Sequence, residues 1–319
     1  MKKIAKVFGS AFLALAIGLS FAGCSFTENK YLEKLDESKI YANSTADTVP
    51  QTRLAELVTE HFNEDNGKIK KAIIIGYDGT RADSLYNIVC PENTASKTNE
   101  RSINSGFNKI LDMGGQIVLS SAGGIKGGKE KEQDTSTAPG WATVLTGKLA
   151  DEHGVYNNEN VISEDTPTIL MQQAKNGKNV CFNYRWDTHH DLTYTTEINQ
   201  KLENYKWTEC ETDLEMHQAM LGAIDNNTDL IFGIYENPDY IGETTGFGNE
   251  NYQYIKAVTD TDRFVYELIE AIENRETYAS EDWLIMIVAD HGGRDKTHGG
   301  QSVYEKMIFM ASNKPIIEK

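Results

Sequence analysis

Short, continuous runs of apolar residues recur along the chain, and they constrain its fold more than any other feature of the sequence. The runs lie at Ala72–Ile75, Gln116–Leu119, Asn179–Phe182, Leu230–Tyr235, Trp283–Ala289 and Met307–Met310. A run of this length without polar alternation is typical of a strand that is buried on both faces of a sheet. Segments between several runs have helical periodicity, most clearly at Asn251–Asn274. Strands that alternate with helices predict an α/β fold, a doubly wound and mostly parallel sheet with helices on both faces.

The excess of acidic residues limits which kinds of molecule the protein can bind. The 319 residues include 31 Lys and Arg against 48 Asp and Glu, which gives a formal net charge of −17. A surface that binds nucleic acid needs clustered basic residues, so this balance argues against a nucleic-acid polymer as partner. With 6 Pro and 26 Gly, the composition also excludes a collagen-like or broadly disordered chain. We expect a globular protein with one large core or two modest ones.

The first residues resemble an export signal. A positive segment with Lys2, Lys3 and Lys6 precedes an uncharged stretch from Val7 to Gly23. That stretch is short for a membrane span of about 20 residues, but it suits the apolar region of a signal peptide. Phe21–Cys24 resembles the end of a bacterial lipoprotein signal, in which the Cys becomes the lipidated first residue. We therefore expect a signal peptide at 1–23 and a protein exported and anchored on the cell envelope only through lipid on Cys24. The alternative is plain secretion.

The rest of the chain divides into two parts according to hydrophobicity. Residues 24–66 are polar apart from one predicted helix at Gln51–Phe62, and we interpret them as a tether and an edge helix. Residues 67–319 contain all the apolar runs and form the predicted catalytic α/β domain. The remaining cysteines, Cys90, Cys181 and Cys210, allow at most one disulfide. They lack the C-x-x-C spacing of a thiolate zinc site.

Acidic and imidazole side chains follow three of the predicted strands. They are Asp78, then Asp239 and Glu243, and then Asp290, His291 and His298. Because ligands bind beyond the carboxyl ends of strands in such sheets, we expect these side chains to meet. Carboxylate oxygens and imidazole nitrogens together suit divalent metal ions. The sequence therefore predicts a metal centre at this edge of the sheet.

A threonine stands where a nucleophile could be placed. Thr137 opens a predicted helix in which Pro139 fits the first helical position and Gly147 the stop. The helix N-terminus favours an anion, and a metal ion there would lower the pKa of the hydroxyl and make it a usable nucleophile. Taken alone, Thr137 could equally be a helix cap.

In combination, these motifs resemble the alkaline-phosphatase superfamily, specifically the type I phosphodiesterase/nucleotide pyrophosphatase branch. The resemblance spans roughly residues 70–312 and rests on Ile75–Gly79, Thr137–Pro139, Leu145–Gly147, Glu152–Val155, Pro238–Asp239, Asp290–Gly292 and His298–Gly299. It implies an alkaline-phosphatase-like fold and a metal-dependent phosphoric ester hydrolase. The implied substrate is a small-molecule phosphate ester, and the implied intermediate is a phosphothreonine on Thr137.

The resemblance also implies two divalent metal ions, usually zinc. One would be held by Asp78, Asp290 and His291 and would touch the Thr137 oxygen. The other would be held by Asp239, His298 and the residue at 243, where the family has His and this chain has Glu243. Four carboxylates would then cancel the charge of two divalent ions. We therefore expect a weaker hold on a dianion, with manganese, magnesium or calcium as alternatives to zinc.

A second departure is Gly140, where close relatives often have an Asn that contacts the phosphoryl oxygens. Losing that donor would cost about 3 kcal/mol of transition-state stabilisation if nothing replaces it. Both departures favour an alternative function, a catalytically weakened, lipid-anchored binding protein of the same fold. A sulfatase-like ester hydrolase is a further alternative, but it would need Cys or Ser at Thr137 and Arg at Trp141.

Other segments carry weaker functional hypotheses. Trp141, Tyr184 and Trp186 could stack on a base or sugar of the substrate, or could belong to the core. We interpret His189–His190 as loop residues rather than a third metal site, and His153 as support for a helix end. The P-loop-like Gly123–Glu130 has Glu130 in place of the required Ser or Thr, so no nucleotide P-loop is predicted there.

Overall fold

The computed structural model describes residues 48–85, 88, 104–123 and 133–317. The predicted signal peptide, the lipidation site Cys24, Cys90 and nearly all of the P-loop-like segment lie outside the described residues. Within them, Cys181 and Cys210 are buried free thiols, so these two do not form the disulfide that the sequence allowed. No helix in the described ranges combines the length and apolar character that crossing a membrane requires.

Eight strands of the described chain form one mixed sheet. In chain order they are β1 (Val49–Pro50), β2 (Ile69–Tyr77), β3 (Gln116–Ser121), β4 (Val180–Tyr184), β5 (Tyr205–Glu209), β6 (Leu230–Tyr235), β7 (Glu281–Ala289) and β8 (Met307–Ser312). Their order across the sheet is β1-β3-β8-β7-β2-β6-β4-β5. β8 is antiparallel to both neighbours, and the other pairs are parallel. The predicted α/β fold class with a mostly parallel sheet is confirmed.

All six apolar runs are strands, and two strands were not predicted. β1 has two residues, too few for a pattern. β5 lies at the sheet edge, and along it Tyr205 alone is buried. A strand whose side chains mostly face solvent lacks the apolar run on which the prediction depended.

Ten α-helices are found in the described residues, and they lie on both faces of the sheet. They are α1 (Arg53–Asn63), α2 (Gly106–Asp112), α3 (Thr137–Thr146), α4 (Ala150–His153), α5 (Ile169–Lys175), α6 (Thr195–Ile198), α7 (Asp213–Asp225), α8 (Asn237–Thr245), α9 (Tyr252–Glu273) and α10 (Val303–Lys306). One apolar cluster joins α2, α7 and α9 to one face, and a second joins α1, α3 and α5 to the other. Burial of both faces explains why each central strand contains a continuous apolar run, although Lys70–Lys71 and Glu281–Asp282 lie near the starts of β2 and β7.

The register of the central strands places the functional ends side by side. β2 lies between β7 and β6, and Tyr77 pairs with Ala289 on one side and with Tyr235 on the other. These three residues are the last of their strands. The segments that begin at Asp78, Glu236 and Asp290 therefore leave the sheet in one row.

Candidate active site

The first predicted ligand set meets where β2 and β7 end. His291 Nε2 lies 3.4 Å from Asp78 Oδ1 and 3.4 Å from Asp290 Oδ2. Thr137 Oγ1 lies 3.5 Å from the same nitrogen. All four side chains are buried. The structure thus brings the predicted nucleophile and the predicted ligands to one point.

The second set lies beside the first. His298 Nε2 is 3.3 Å from Glu243 Oε1 and 3.9 Å from Asp239 Oδ2. The imidazoles of His298 and His291 stack with ring centroids 4.2 Å apart. Ligand atoms of Asp239, His291 and His298 lie within 4.8 Å of one another, and Glu243 approaches this group from a side chain that is 51% exposed.

The His291 ring is oriented by its other nitrogen. Nδ1 lies 2.8 Å from the carbonyl oxygen of Gly292, which can only accept, so Nδ1 carries the hydrogen. Nε2 therefore faces Asp78 and Asp290 as the atom that binds a cation or a proton. Burial disfavours a charged imidazole, but Asp290, Asp78 and Asp239 outweigh it and raise the pKa of His291 to about 10. The three carboxylates thus stabilise a positive charge in this pocket, either a protonated His291 or a bound cation.

Within the described chain, three buried carboxylate oxygens also lack a hydrogen-bonding partner that would neutralise their charge. Asp78 Oδ1, Asp239 Oδ1 and Asp290 Oδ2 have no hydrogen-bond donor among the described residues. Burial, followed by the charge of Asp78, raises the pKa values of Asp239 and Asp290 well above the ordinary range. Burial also opposes ionisation of Asp78, but His291 and the indole of Trp141 lower its pKa. Buried carboxylates without donors, beside imidazole nitrogens, fit divalent cations.

Two glycines let these groups approach. Gly79 has φ +60, and a Cβ there would lie 2.1 Å from Asp239 Oδ1. A Cβ on Gly140 would lie 2.7 Å from the carbonyl oxygen of Asp290. Gly140 thus packs α3 against the backbone of a predicted ligand and does not line the cleft. A side chain at position 140 would therefore meet the Asp290 backbone before it could reach a phosphoryl group in the cleft, contrary to the expectation for this position.

α3 begins and ends largely as predicted. Thr137 is its first residue and Ser136 its N-cap, while Gly147 ends it with φ 68. Pro139 occupies the third helical position, not the first as predicted, because the helix begins two residues earlier. The third position also lacks an intrahelical acceptor, so proline costs no hydrogen bond there.

A cleft of about 240 Å³ opens onto these groups. It is lined by Asp78, Thr137, Asn158, Arg185, Trp186, Glu236, Asp239, Tyr240, Glu243 and His298. Trp186 therefore lies where a ligand ring could contact it. Trp141 is fully buried and donates from Nε1 to Asp78 Oδ2 at 3.3 Å, so its ring is not open to a ligand. Tyr184 is buried and stacks on His190, away from the cleft lining.

Four lining residues, Asn158, Arg185, Glu236 and Tyr240, are not among the site residues predicted from the sequence. Arg185 and Glu236 directly follow β4 and β6, so the rule that found Asp78 would also have found them. Burial, followed by the charge of Asp78, raises the pKa of Glu236 to about 8. Asn158 and Tyr240 carry no such positional signal. The Oδ1 atom of Asn158 accepts from the backbone N–H of Ala138 at 2.9 Å, which fixes this side chain beside Thr137.

Three histidines that were predicted to have other roles, His153, His189 and His190, do not belong to the two ligand sets. His153 is buried, and its Nε2 lies 3.1 Å from Thr143 Oγ1 while Nδ1 accepts from the backbone N–H of Val155, so it supports the helix end as predicted. His189 is fully buried, and His190 contacts Asp191. Both lie in a short π-helix, His189–Thr193, and not in the predicted loop, and within the described residues neither belongs to a group of possible metal ligands.

The comparisons with known proteins agree with the motifs. Residues 171–304 match the family model described as type I phosphodiesterase / nucleotide pyrophosphatase. This match includes five of the predicted ligands, Asp239, Glu243, Asp290, His291 and His298. No curated protein matches the sequence.

Similar solved structures are more distant. Murine ectonucleotide pyrophosphatase / phosphodiesterase 5, as an inactive variant in complex with AMP, is 16% identical, covers 70% of this chain and has a TM-score of 0.48. This chain spans 57% of that protein's length. Phosphonoacetate hydrolase from Sinorhizobium meliloti, in complex with phosphonoacetate, is 13% identical over 71% of this chain and 57% of its own, with a TM-score of 0.47. Alkaline phosphatase from the Antarctic bacterium TAB5 is 9% identical over 78% of this chain and 92% of its own, with a TM-score of 0.46. Over residues 171–304, the chain is therefore similar to the type I phosphodiesterase / nucleotide pyrophosphatase family.

Proposed function

We propose that this protein is a metal-dependent phosphoric ester hydrolase, a phosphodiesterase or pyrophosphatase, that uses Thr137 as its nucleophile. One observation carries the proposal. The hydroxyl of Thr137 and two buried carboxylates, Asp78 and Asp290, converge on a single imidazole nitrogen at the edge of an open cleft. The family match over residues 171–304 supports the same reaction class.

The residues that would hold two divalent ions are those whose unpartnered atoms converge. Asp78, Asp290 and His291 would hold one ion next to Thr137, and Asp239, Glu243 and His298 would hold the other. Bound there, the ions would lower the pKa of the Thr137 hydroxyl and offset negative charge on the phosphoryl group. Zinc suits the mixed oxygen and nitrogen ligands, and the excess of carboxylates leaves manganese, magnesium or calcium as alternatives.

The protein's own groups position the displacement. Thr137 Oγ1 forms a bond to phosphorus while the bond to the leaving oxygen breaks, and water then hydrolyses the phosphothreonine. Two successive in-line displacements give net retention at phosphorus. The N-terminus of α3 carries partial positive charge toward the anionic substrate. Because Ala138 N–H holds Asn158 Oδ1, the amide nitrogen of Asn158 remains the donor for a phosphoryl oxygen. Asn158 would thus provide the phosphoryl donor that close relatives often have as an Asn at the position of Gly140.

A catalytically weakened binding protein is the second candidate, and the position of Glu243 favours it. This carboxylate is 51% exposed and replaces an imidazole in the second ligand set. Solvent competes more effectively for an exposed ligand, so the second ion would be held less firmly. Bound metal without turnover of any phosphate, phosphonate or sulfate ester would establish this candidate and exclude the first.

Hydrolysis of bis-p-nitrophenyl phosphate tests the proposal. We expect turnover that chelation abolishes and added zinc or manganese restores. Thr137→Ala should lower kcat by more than about 10³-fold, because it removes the attacking atom. Thr208→Ala, which changes an exposed threonine on β5, is the matched control and should leave kcat unchanged. Activity that persists in Thr137→Ala would eliminate this mechanism.

A further inference from the structure

One cation lines the cleft, and the proposed hydrolysis does not use it. Arg185 directly follows β4, the strand next to β6, so it emerges in the same row as the acidic ligands. It is the one Lys or Arg among the lining residues that the structure describes. Four carboxylates, those of Asp78, Glu236, Asp239 and Glu243, share the lining with it.

The guanidinium is fixed from one side. Nη1 donates to Asp213 Oδ1 at 2.5 Å and to Asn237 Oδ1 at 3.1 Å. Asp213 is itself buried and accepts from the backbone N–H groups of Glu236 and Asn237 at 3.1 and 3.0 Å. The next residue is also tied, because Trp186 N–H donates to Glu236 Oε1 at 2.7 Å. The segment after β4 is therefore held firmly against the start of α8.

The other edge of the guanidinium is open. Nε of Arg185 is buried and has no acceptor among the described residues, and within them Nη1 alone makes hydrogen bonds. Nε and Nη2 form a planar pair of donors that matches two oxygens of one carboxylate or phosphate group. A buried donor without an acceptor is costly unless a ligand completes it. The side chain is 19% exposed, so a ligand in the cleft can reach it.

We propose that Arg185 binds a second oxyanion of the substrate, a carboxylate or phosphate group on one of the ester's substituents, through its Nε–Nη2 edge. The inference rests on the proposed function, because it names the substrate class of the same cleft. Elsewhere in the described lining, four carboxylates surround the ligand, so Arg185 marks the position where an additional negative charge is stabilised. The preferred substrate is an anionic diester or pyrophosphate rather than a diester with two neutral arms.

Symmetric diesters test this without regard to the orientation of the substrate. Bis(ω-carboxyalkyl) phosphates with arms of two to four methylenes are compared with their neutral bis-amides, and with the corresponding bis-phosphonates. Affinity is measured by isothermal titration to zinc-loaded Thr137→Ala, and hydrolysis by the wild type is followed by phosphorus NMR. Tighter binding of the carboxylate arms than of the phosphonate arms identifies an organic acid. The reverse order identifies a phosphorylated group.

The expected result is at least tenfold tighter binding of the best oxyanion diester than of its amide. Adding Arg185→Gln should reduce this preference below threefold, and Arg185→Lys should retain only part of it. Arg263→Gln, on an exposed residue of α9, should leave it unchanged. Thermal unfolding checks that Arg185→Gln is folded, because Asp213 loses a partner. If Arg185→Gln is not folded, the partial loss of preference in Arg185→Lys tests the inference instead.

The failure of this inference is distinct from failure of the proposed function. If the wild type hydrolyses bis-p-nitrophenyl phosphate but Thr137→Ala binds oxyanion and amide arms equally, the inference alone is overturned. A preference that survives in Arg185→Gln also overturns it. If the wild type hydrolyses no ester and binds no diester, both are overturned.

Discussion

Gly140→Ala separates the two interpretations of position 140 more sharply than any other change. A Cβ at this position would lie 2.7 Å from the Asp290 carbonyl oxygen and 2.8 Å from the Asp290 Cβ, where ordinary contacts begin at 3.4 Å. The two chain segments must therefore separate by about 0.7 Å. Asp290 cannot shift freely, because its carbonyl accepts from Gln51 Nε2 at 2.7 Å and its Oδ1 accepts from two backbone N–H groups.

The energetic cost follows from these contacts. Overpacking a tight interface costs about 1–3 kcal/mol, and the higher helix propensity of Ala returns about 1 kcal/mol. We therefore expect a net loss of stability of about 0–2 kcal/mol. The effect on activity should be larger than this loss suggests. A misplacement of about 1 Å at a reacting centre can cost about 10²-fold, so kcat should fall by about 10- to 100-fold.

For Gly140→Ala and two further variants, kcat is measured on bis-p-nitrophenyl phosphate and the free energy of unfolding is measured in urea. Gly222→Ala is the matched control, because this helical glycine on α7 has no atom within 4 Å of the added Cβ. It should gain up to about 1 kcal/mol and keep full activity. Gly140→Asn should lose at least as much activity as Gly140→Ala. Higher activity in Gly140→Asn would refute the packing argument and restore the view that this chain lacks a phosphoryl donor there.

Two further predictions concern a ligand and a buried acid. Glu243→His should raise zinc affinity by about tenfold, because zinc prefers an imidazole nitrogen to a carboxylate beside His298. Unchanged or weaker binding in isothermal titration would contradict the assignment of Glu243 as a ligand. Burial raises the pKa of Glu197 to about 7 from 4.5, although both carboxylate oxygens accept from Thr168. Its contribution to stability is full below pH 4.5 and is lost as the pH rises through 7, so Glu197→Gln should gain about 3 kcal/mol on the wild type between pH 4.5 and 8. Denaturant unfolding measures the gain, and an equal difference between the two proteins at both pH values would contradict it.

The sequence predicted the parts of the fold that depend on local pattern. β2, β6 and β7 are buried on both faces over most of their length, so each contains a continuous apolar run from which its end could be located. The candidate ligands could be named because they directly follow such strands or recur a few residues later. The antiparallel direction of β8 could not be predicted in the same way, because a buried apolar run is the same in either direction.

What the sequence did not predict depends on contacts between distant segments. Gly140 lies 150 positions before Asp290 in the sequence, and nothing near it indicates that the two backbones touch. The same holds for Trp141, whose ring fills the space over Gly76 and whose indole N–H is used by Asp78. Asn158 lies in a loop after α4 and reaches Thr137 only through the folded chain. Substitutions at these positions require the tertiary structure for their interpretation.

The segment before β2 was predicted to form a tether and an edge helix, and part of it contacts the candidate site. Gln51 is buried, and its side-chain N–H donates to the Asp290 carbonyl oxygen at 2.7 Å. Two residues later α1 begins, and its Leu54 and Val58 are fully buried in the cluster that also contains Trp141. The end of α3 packs on the same helix, because a Cβ at Gly147 would lie 3.1 Å from that of Ala55. The helix that carries Thr137 and the strand end that carries Asp290 thus share one support. The relative position of Thr137 and Asp290 therefore depends on residues 51–58 as well as on the sheet.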